Sequence, residues 1–152
     1  MDDTLHTENS TTAFTASTES PDFALAVDLG KLLADHKGGE VLVMDMRELS
    51  SWTDFFVIAT VTSTTHLMGL QRHIKDFASE RGAGIMYRSR RSKNSPHMQM
   101  QSQSNVDEWS LLDFGNVVVH LMSANARSFF ELERLWSAAP IIYRAGQTEP
   151  GQ

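Results

Sequence analysis

At 152 residues, with 41% of them hydrophobic and 21% charged, the chain suits one compact domain and is too short for two ordinary domains and a linker. Cysteine is absent, which excludes disulfides, thiolate metal sites and a cysteine nucleophile. A formal net charge of −6 argues against a broad phosphate-tracking surface and favours a basic protein partner.

Residues 1–20 are rich in Ser, Thr and acids with scattered apolar side chains, too few to offset ordering entropy, so a disordered N-terminal tail is expected. Residues 1–22 carry Asp2, Asp3, Glu8, Glu19 and Asp22 without Lys or Arg, which speaks against a secretory leader or an Arg-rich transit peptide. No apolar run approaches the ~20 residues of a membrane helix, and the expected location is cytoplasmic, with no membrane partner. The ordered domain should span 21–143. Ser20 can cap a helix, Pro21 suits its first position and Asp22 complements its N-terminus; Leu25, Leu29, Leu32 and Leu33 form its apolar stripe, and Gly38-Gly39 end it.

Two near-continuous apolar runs, Val41 to Met44 and Phe55 to Val61, read as central strands covered on both faces, with Trp52 ambiguous between them. Ser63 can cap a second helix with Leu67, Leu70, Ile74 and Phe77 inward, stopped by Gly82 and Gly84. Ile85 to Tyr87 suggests a short strand. Residues 88–106 lack any period, contain Pro96 and the basic cluster Arg88, Arg90, Arg91 and Lys93, and read as an inserted flexible loop. That cluster is either a solvated loop or a minor rRNA contact.

Trp109 to Phe114 and Val117 to Met122 flank Gly115-Asn116, whose permissive backbone favours a tight antiparallel hairpin. A last helix begins near Asn125 with Ala126, Phe129, Leu132 and Trp136 on one stripe and Phe130, Glu131 and Arg134 pointing elsewhere, ending before Pro140. Residues 144–152 are expected to be a disordered tail. The element order implies an α/β fold with a mixed five-stranded sheet and helices packed on its faces.

Catalytic signals are missing. There is no glycine-rich phosphate loop and no serine elbow, and Asp45 and Asp113 stand singly in their strands. His66 and His73, seven residues apart on one helix, lie about 10 Å apart by helical rise, too far to share one ion. His120, within an apolar strand, reads as a hydrogen-bonded core residue, an interaction residue or a hairpin support. No catalytic residue, metal ligand or cofactor is assigned. Strand alternation puts Trp109, Leu111 and Asp113 on one face of the hairpin and Ser110, Leu112 and Phe114 on the other. Either face can pack under a helix, and an aromatic anchor beside a carboxylate also suits a protein interface.

Three blocks in order, "VLVMDMRELSSWTDFFVIATVTSTTHLMGL", "EWSLLDFGNVVVHLM" and "ARSFFELERLW", resemble the ribosomal silencing factor (Iojap) family over roughly Asp22 to Tyr143. The resemblance implies nucleotidyltransferase-like topology without catalytic residues. It also implies a translational repressor that binds the large ribosomal subunit through ribosomal protein fourteen at the intersubunit face and blocks subunit joining. Family members also form homodimers. The family's tryptophan before the hairpin falls on Trp109, its aspartate on Asp113, its aromatic on Phe114 and its last-helix tryptophan on Trp136. The expected partner-binding residues are Trp109, Leu111, Asp113, Phe114, Phe130, Glu131 and Glu133. Alternative readings are a degenerate nucleotidyltransferase-type enzyme and an RNA-binding module acting through Arg88 to Lys93. The chain departs from the family pattern at Val61, where the family has glycine, at Asn116, where it has aspartate, and in the long segment from Arg88 to Asn105.

Overall fold

A computed structural model describes residues 20–84, 87–90 and 109–146. Its elements are α1 (Pro21–Asp35), β1 (Gly39–Asp45), β2 (Phe55–Val61), α2 (Thr64–Glu80), β3 (Tyr87–Arg90), β4 (Trp109–Asp113), β5 (Val117–Ser123), α3 (Ala124–Phe130), α4 (Leu132–Leu135) and β6 (Ile141–Arg144).

The capping signals act as expected. Ser20 Oγ accepts from Phe23 N at 3.2 Å and Ser63 Oγ from His66 N at 3.0 Å, each satisfying an amide that its helix leaves unpaired. At the end of α1 the left-handed position falls on Lys37 (φ 68°), not on a glycine. Gly38 N then donates to Leu33 O at 2.7 Å and Lys37 N to Ala34 O at 3.2 Å, which closes the last turn. Gly30 has a different reason to lack a side chain: a Cβ there would lie 2.8 Å from Val43 Cγ2 and 3.0 Å from Tyr143 Cδ1, so glycine lets α1 lie close on the sheet.

The six strands run in the order β3-β4-β5-β2-β1-β6. Only β2 and β5 pair in parallel, Phe55 with Val117 through Val61 with Ser123; every other pairing is antiparallel, so the sheet is mixed as expected. Four of the expected strands are present, the one expected over Ile85 to Tyr87 is described only from Tyr87, where β3 begins, and β6 adds a further strand on the edge beside β1 through Val43↔Tyr143. Arg144, expected in the C-terminal tail, therefore belongs to a strand, and Ala145 N donates to Val41 O at 2.9 Å. Similarly, the backbone of Arg88 to Arg90 belongs to β3 and pairs with Ser110 to Leu112, so the edge strand extends into what reads as loop. Most of the predicted 88–106 insertion, the predicted N-terminal tail before Ser20 and residues 147–152 lie outside the described residues.

Strand alternation divides the core in two. Val41, Val43, Phe55, Val57, Ala59, Leu112, Val119 and Leu121 face Leu25, Leu29 and Leu33 of α1 and Leu67, Leu70 and Ile74 of α2. Leu42, Met44, Phe56, Ile58, Val118 and Met122 face the other way, where Met46, Ala126, Leu132 and Ala139 are buried with them. The hairpin is the tight turn expected: Gly115 takes φ 95°, and Phe114 N donates to Val117 O at 2.8 Å. Asn116 Nδ2 also donates to Asp22 Oδ2 at 2.9 Å, tying the turn to the start of α1.

The last helix differs from its expected form. Glu131 adopts φ 46° and splits it into α3 and α4. Ala126, Leu132 and Trp136 of the expected stripe join the second cluster in spite of the break. Phe129, expected in the core, is 80% exposed, because α3 turns Phe130, one step further round the helix, toward the sheet. Phe130, expected to point away, packs instead against the second cluster.

Candidate docking face

The sparsely covered second face carries a continuous array of aromatic rings. Trp52, from the β1–β2 connection, lies 5.7 Å from Phe56 of β2, which lies 4.6 Å edge-on from His120 of β5. His120 is 5.7 Å from Trp109 of β4; Trp109 is 4.8 Å from Phe130, and Phe130 is 5.0 Å edge-on from Phe129 at the end of α3. Trp136 joins at Phe56, 6.2 Å away. The order β4-β5-β2 makes this possible, because Leu111, His120 and Ile58 are ladder partners and their neighbours share one side of the sheet. Trp109 and Leu111 are half-buried here, while Trp52 is 55% and Leu135 69% exposed. Large apolar groups left accessible favour association with another surface.

His120 is the polar centre of the array. It is only 3% exposed. Trp109 Nε1 donates to its Nδ1 at 3.1 Å. An indole N–H can only donate, so Nδ1 is the acceptor and the neutral ring carries its proton on Nε2. That Nε2 is buried with no hydrogen-bond partner. Burial pushes the imidazole down to about 4, because a charged ring in this apolar setting loses its hydration.

The acids expected at the interface have local partners. Asp113 Oδ1 accepts from Gly115 N at 2.7 Å, so this carboxylate shapes the hairpin turn. Glu133 Oε1 accepts from Arg127 Nε at 2.5 Å. The guanidinium is buried and its Nη1 donates to Gly39 O and Thr60 Oγ1 at 3.2 and 2.9 Å, anchoring α3 to β1 and β2. Glu131 meets Arg134 at 3.4 Å on the surface. Glu40, Glu131, Glu133 and Arg127 line a recess of about 390 Å³ beside the aromatic array.

Of the expected interface residues, the structure brings Trp109, Leu111 and Phe130 into the second cluster and puts Glu131 and Glu133 at its border. Phe114 goes elsewhere: it packs on the α1 side with the first cluster, as alternation from Trp109 requires. Sequence reading left Trp52, Phe56, Trp136 and His120 out of the site. Alternation separates Phe56 from Phe55, which meets Phe23 of α1, but only the strand order brings it to Trp109.

The other candidate chemistry is dispersed. Asp45 and Asp113 are on strands separated by β2 and β5, about 14 Å apart by strand spacing. The hydrogen bonds from Arg47 hold the Asp45 carboxyl below its ordinary range. His66 Nδ1 accepts from Thr62 N at 3.2 Å while its Nε2 meets His36 O at 3.1 Å, and His73 stacks on His36 at 3.7 Å. Among the described residues, no three His, Asp or Glu side chains are grouped to hold a metal, and no helix is long and apolar enough to cross a membrane.

Fold and face define the class as a mixed α/β domain with a partly open aromatic sheet surface. A family model described as ribosomal silencing factor during starvation matches residues 17–151, and the chain belongs to that family. A ribosomal silencing factor of Treponema pallidum is 34% identical over 108 residues, covering 71% of this chain and 86% of that protein. A mitochondrial Iojap-related protein of Arabidopsis thaliana is 34% identical over 113 residues, 73% of this chain; the chain spans only 55% of that relative's length. A solved structure from Chromobacterium violaceum shares the fold at a TM-score of 0.57 and 25% identity, covering 82% of this chain and 96% of that one.

Proposed function

We propose that this protein is a non-enzymatic translational repressor, acting in the cytoplasm, that docks on the large ribosomal subunit through ribosomal protein fourteen and blocks subunit joining by its bulk. The observation that carries the reading is the aromatic array around the buried His120, on the face opposite α1 and α2, whose members Trp109 and Phe130 are half-buried and Trp52 and Phe129 exposed. Trp109 and Phe130 supply the apolar centre. Glu131 and Glu133 supply a border whose sign suits a basic ribosomal protein. Occlusion of this kind needs no turnover.

The backbone of Arg88 and Arg90 runs beside β4, the strand that carries Trp109, so a minor contact of this edge with rRNA belongs to the same proposal. The test is sedimentation of the full chain with separated ribosomal subunits across salt concentrations. The parent should travel with large subunits and retard their joining to small ones. Trp109→Glu should weaken binding by ~2 kcal/mol or more, about thirtyfold, while circular dichroism shows the fold intact. Undiminished co-sedimentation of that folded variant removes Trp109 as the anchor. Failure of the parent to retard subunit joining removes the function.

A further inference from the structure

We infer that His120 is a positioning residue for docking, whose Nδ1 fixes the indole of Trp109 in the orientation that meets the partner. The inference rests on the docking role proposed for Trp109. Phe56 holds the imidazole edge-on from β2 at 76°, and the imidazole in turn accepts the indole N–H at 3.1 Å. Phe130 closes on the indole from α3, with their planes at 49°. Trp109 is thus gripped by an acceptor on one side and a ring on the other, although it is only half-buried.

The choice of histidine has a physical cost that locates its purpose. A buried ring with an orphaned Nε2–H is less suited to a core than leucine, which leaves no unpaired donor. The feature leucine lacks is the Nδ1 acceptor. Its neighbours, Phe56, Trp109 and the ladder partners Leu111 and Ile58, carry no charge, so the ring stays neutral and the acceptor stays available at working pH. An indole held in place before contact gives up less rotational freedom on binding, which is the gain expected of preorganisation.

Side-chain geometry supplies the test, because the amide oxygen of asparagine stands near the position of Nδ1 and the amide of glutamine near that of Nε2. His120→Asn, His120→Gln, His120→Leu and Trp109→Ala are each titrated, as full chains, against purified large ribosomal subunits. The indole ¹⁵N–¹H resonance of Trp109 is followed in the free proteins. His120→Gln and His120→Leu should bind about tenfold more weakly, the worth of one hydrogen bond, with the indole resonance displaced. His120→Asn should restore both, and His120→Leu should melt no lower than the parent. Parental affinity in His120→Gln and His120→Leu beside weak binding by Trp109→Ala overturns the positioning role and leaves the docking reading standing. Equal weakness of the asparagine and glutamine variants overturns it too. Parental affinity in Trp109→Ala sinks the docking reading and with it the docking role of His120, while the indole resonance still reports whether His120 orients the ring. A His120→Leu chain that does not fold leaves the asparagine and glutamine contrast to decide.

Discussion

The two faces of the sheet are built from the same strands and have opposite characters. Under α1 and α2 the contacts are mostly aliphatic, with Leu29, Leu33, Leu67 and Ile74 inaccessible and Val43, Val57 and Val119 beneath them, and Phe55 meeting Phe23 at one end. On the other side aliphatic and methionine side chains are joined by Phe56, Trp109, Phe130 and Trp136, a histidine sits among the rings, and the helical cover is two short pieces broken at Glu131. Interdigitated aliphatic side chains close a surface. Aromatic groups keep a large apolar area even when half-covered, and rings such as Trp109 and Trp52 can serve the fold and an outside partner together. Under the docking role proposed above, stability is concentrated on the helix-covered face and recognition on the other.

The strongest way to break that comparison is Leu29→Ala. Its side chain is fully buried in the helix-covered face, so truncation should cost about 3 kcal/mol from lost transfer energy and the remaining cavity, read as a lowered urea midpoint. Large-subunit binding by the fraction that stays folded should not change. A comparable loss of affinity would mean that the faces are coupled.

Acid probes the other face. Burial pushes His120 from 6.5 down to about 4, so the unfolded chain takes up the proton first as pH falls. The stability is fully present above 6.5 and is lost progressively toward pH 4, by up to ~3 kcal/mol. Urea midpoints at pH 7 and 4.5 check this against His120→Leu, since the difference between the two chains isolates the imidazole from the carboxylates that titrate in both. Identical pH dependence in parent and variant would mean the ring titrates normally and is not sealed by Phe56 and Trp109.

Much of the fold was legible because its signals are local. Ser20, Pro21 and Ser63 announce helix starts within a few residues, and Gly115-Asn116 marks a turn without reference to anything distant. Two elements carried no such mark. The strand Ile141–Arg144 exists through its pairing with β1, roughly a hundred residues earlier, and its own four residues are too few to show a period. The break at Glu131 places a glutamate where a glycine would have signalled the left-handed turn. The candidate site divides along the same line. Alternation within one strand was enough to put Trp109 with Leu111, and the same rule sends Phe114 to the α1 side. Trp52 and Phe56 come from one stretch and His120 from β5, and only the order β4-β5-β2 brings them beside Trp109.

Smaller effects sharpen the division further. Ser63→Ala removes the oxygen that caps α2, on the stabilising face, and should lower stability by about 1 kcal/mol while leaving affinity for large subunits unchanged. The smallest expected change is in Glu131→Gln at the border of the aromatic face. Its partner Arg134 is exposed and 3.4 Å away, so this pair contributes little to the fold and melting should shift by less than ~0.5 kcal/mol. Gln keeps the size of the side chain at the left-handed position and removes only its charge, so any change in binding reports long-range attraction to a basic partner. Stopped-flow mixing with large subunits should show slower association at low salt, converging on the parent rate as salt screens the field, with dissociation unaltered. A change confined to dissociation would move Glu131 from the border of the contact to its desolvated centre, and the aromatic array would no longer be where the affinity resides.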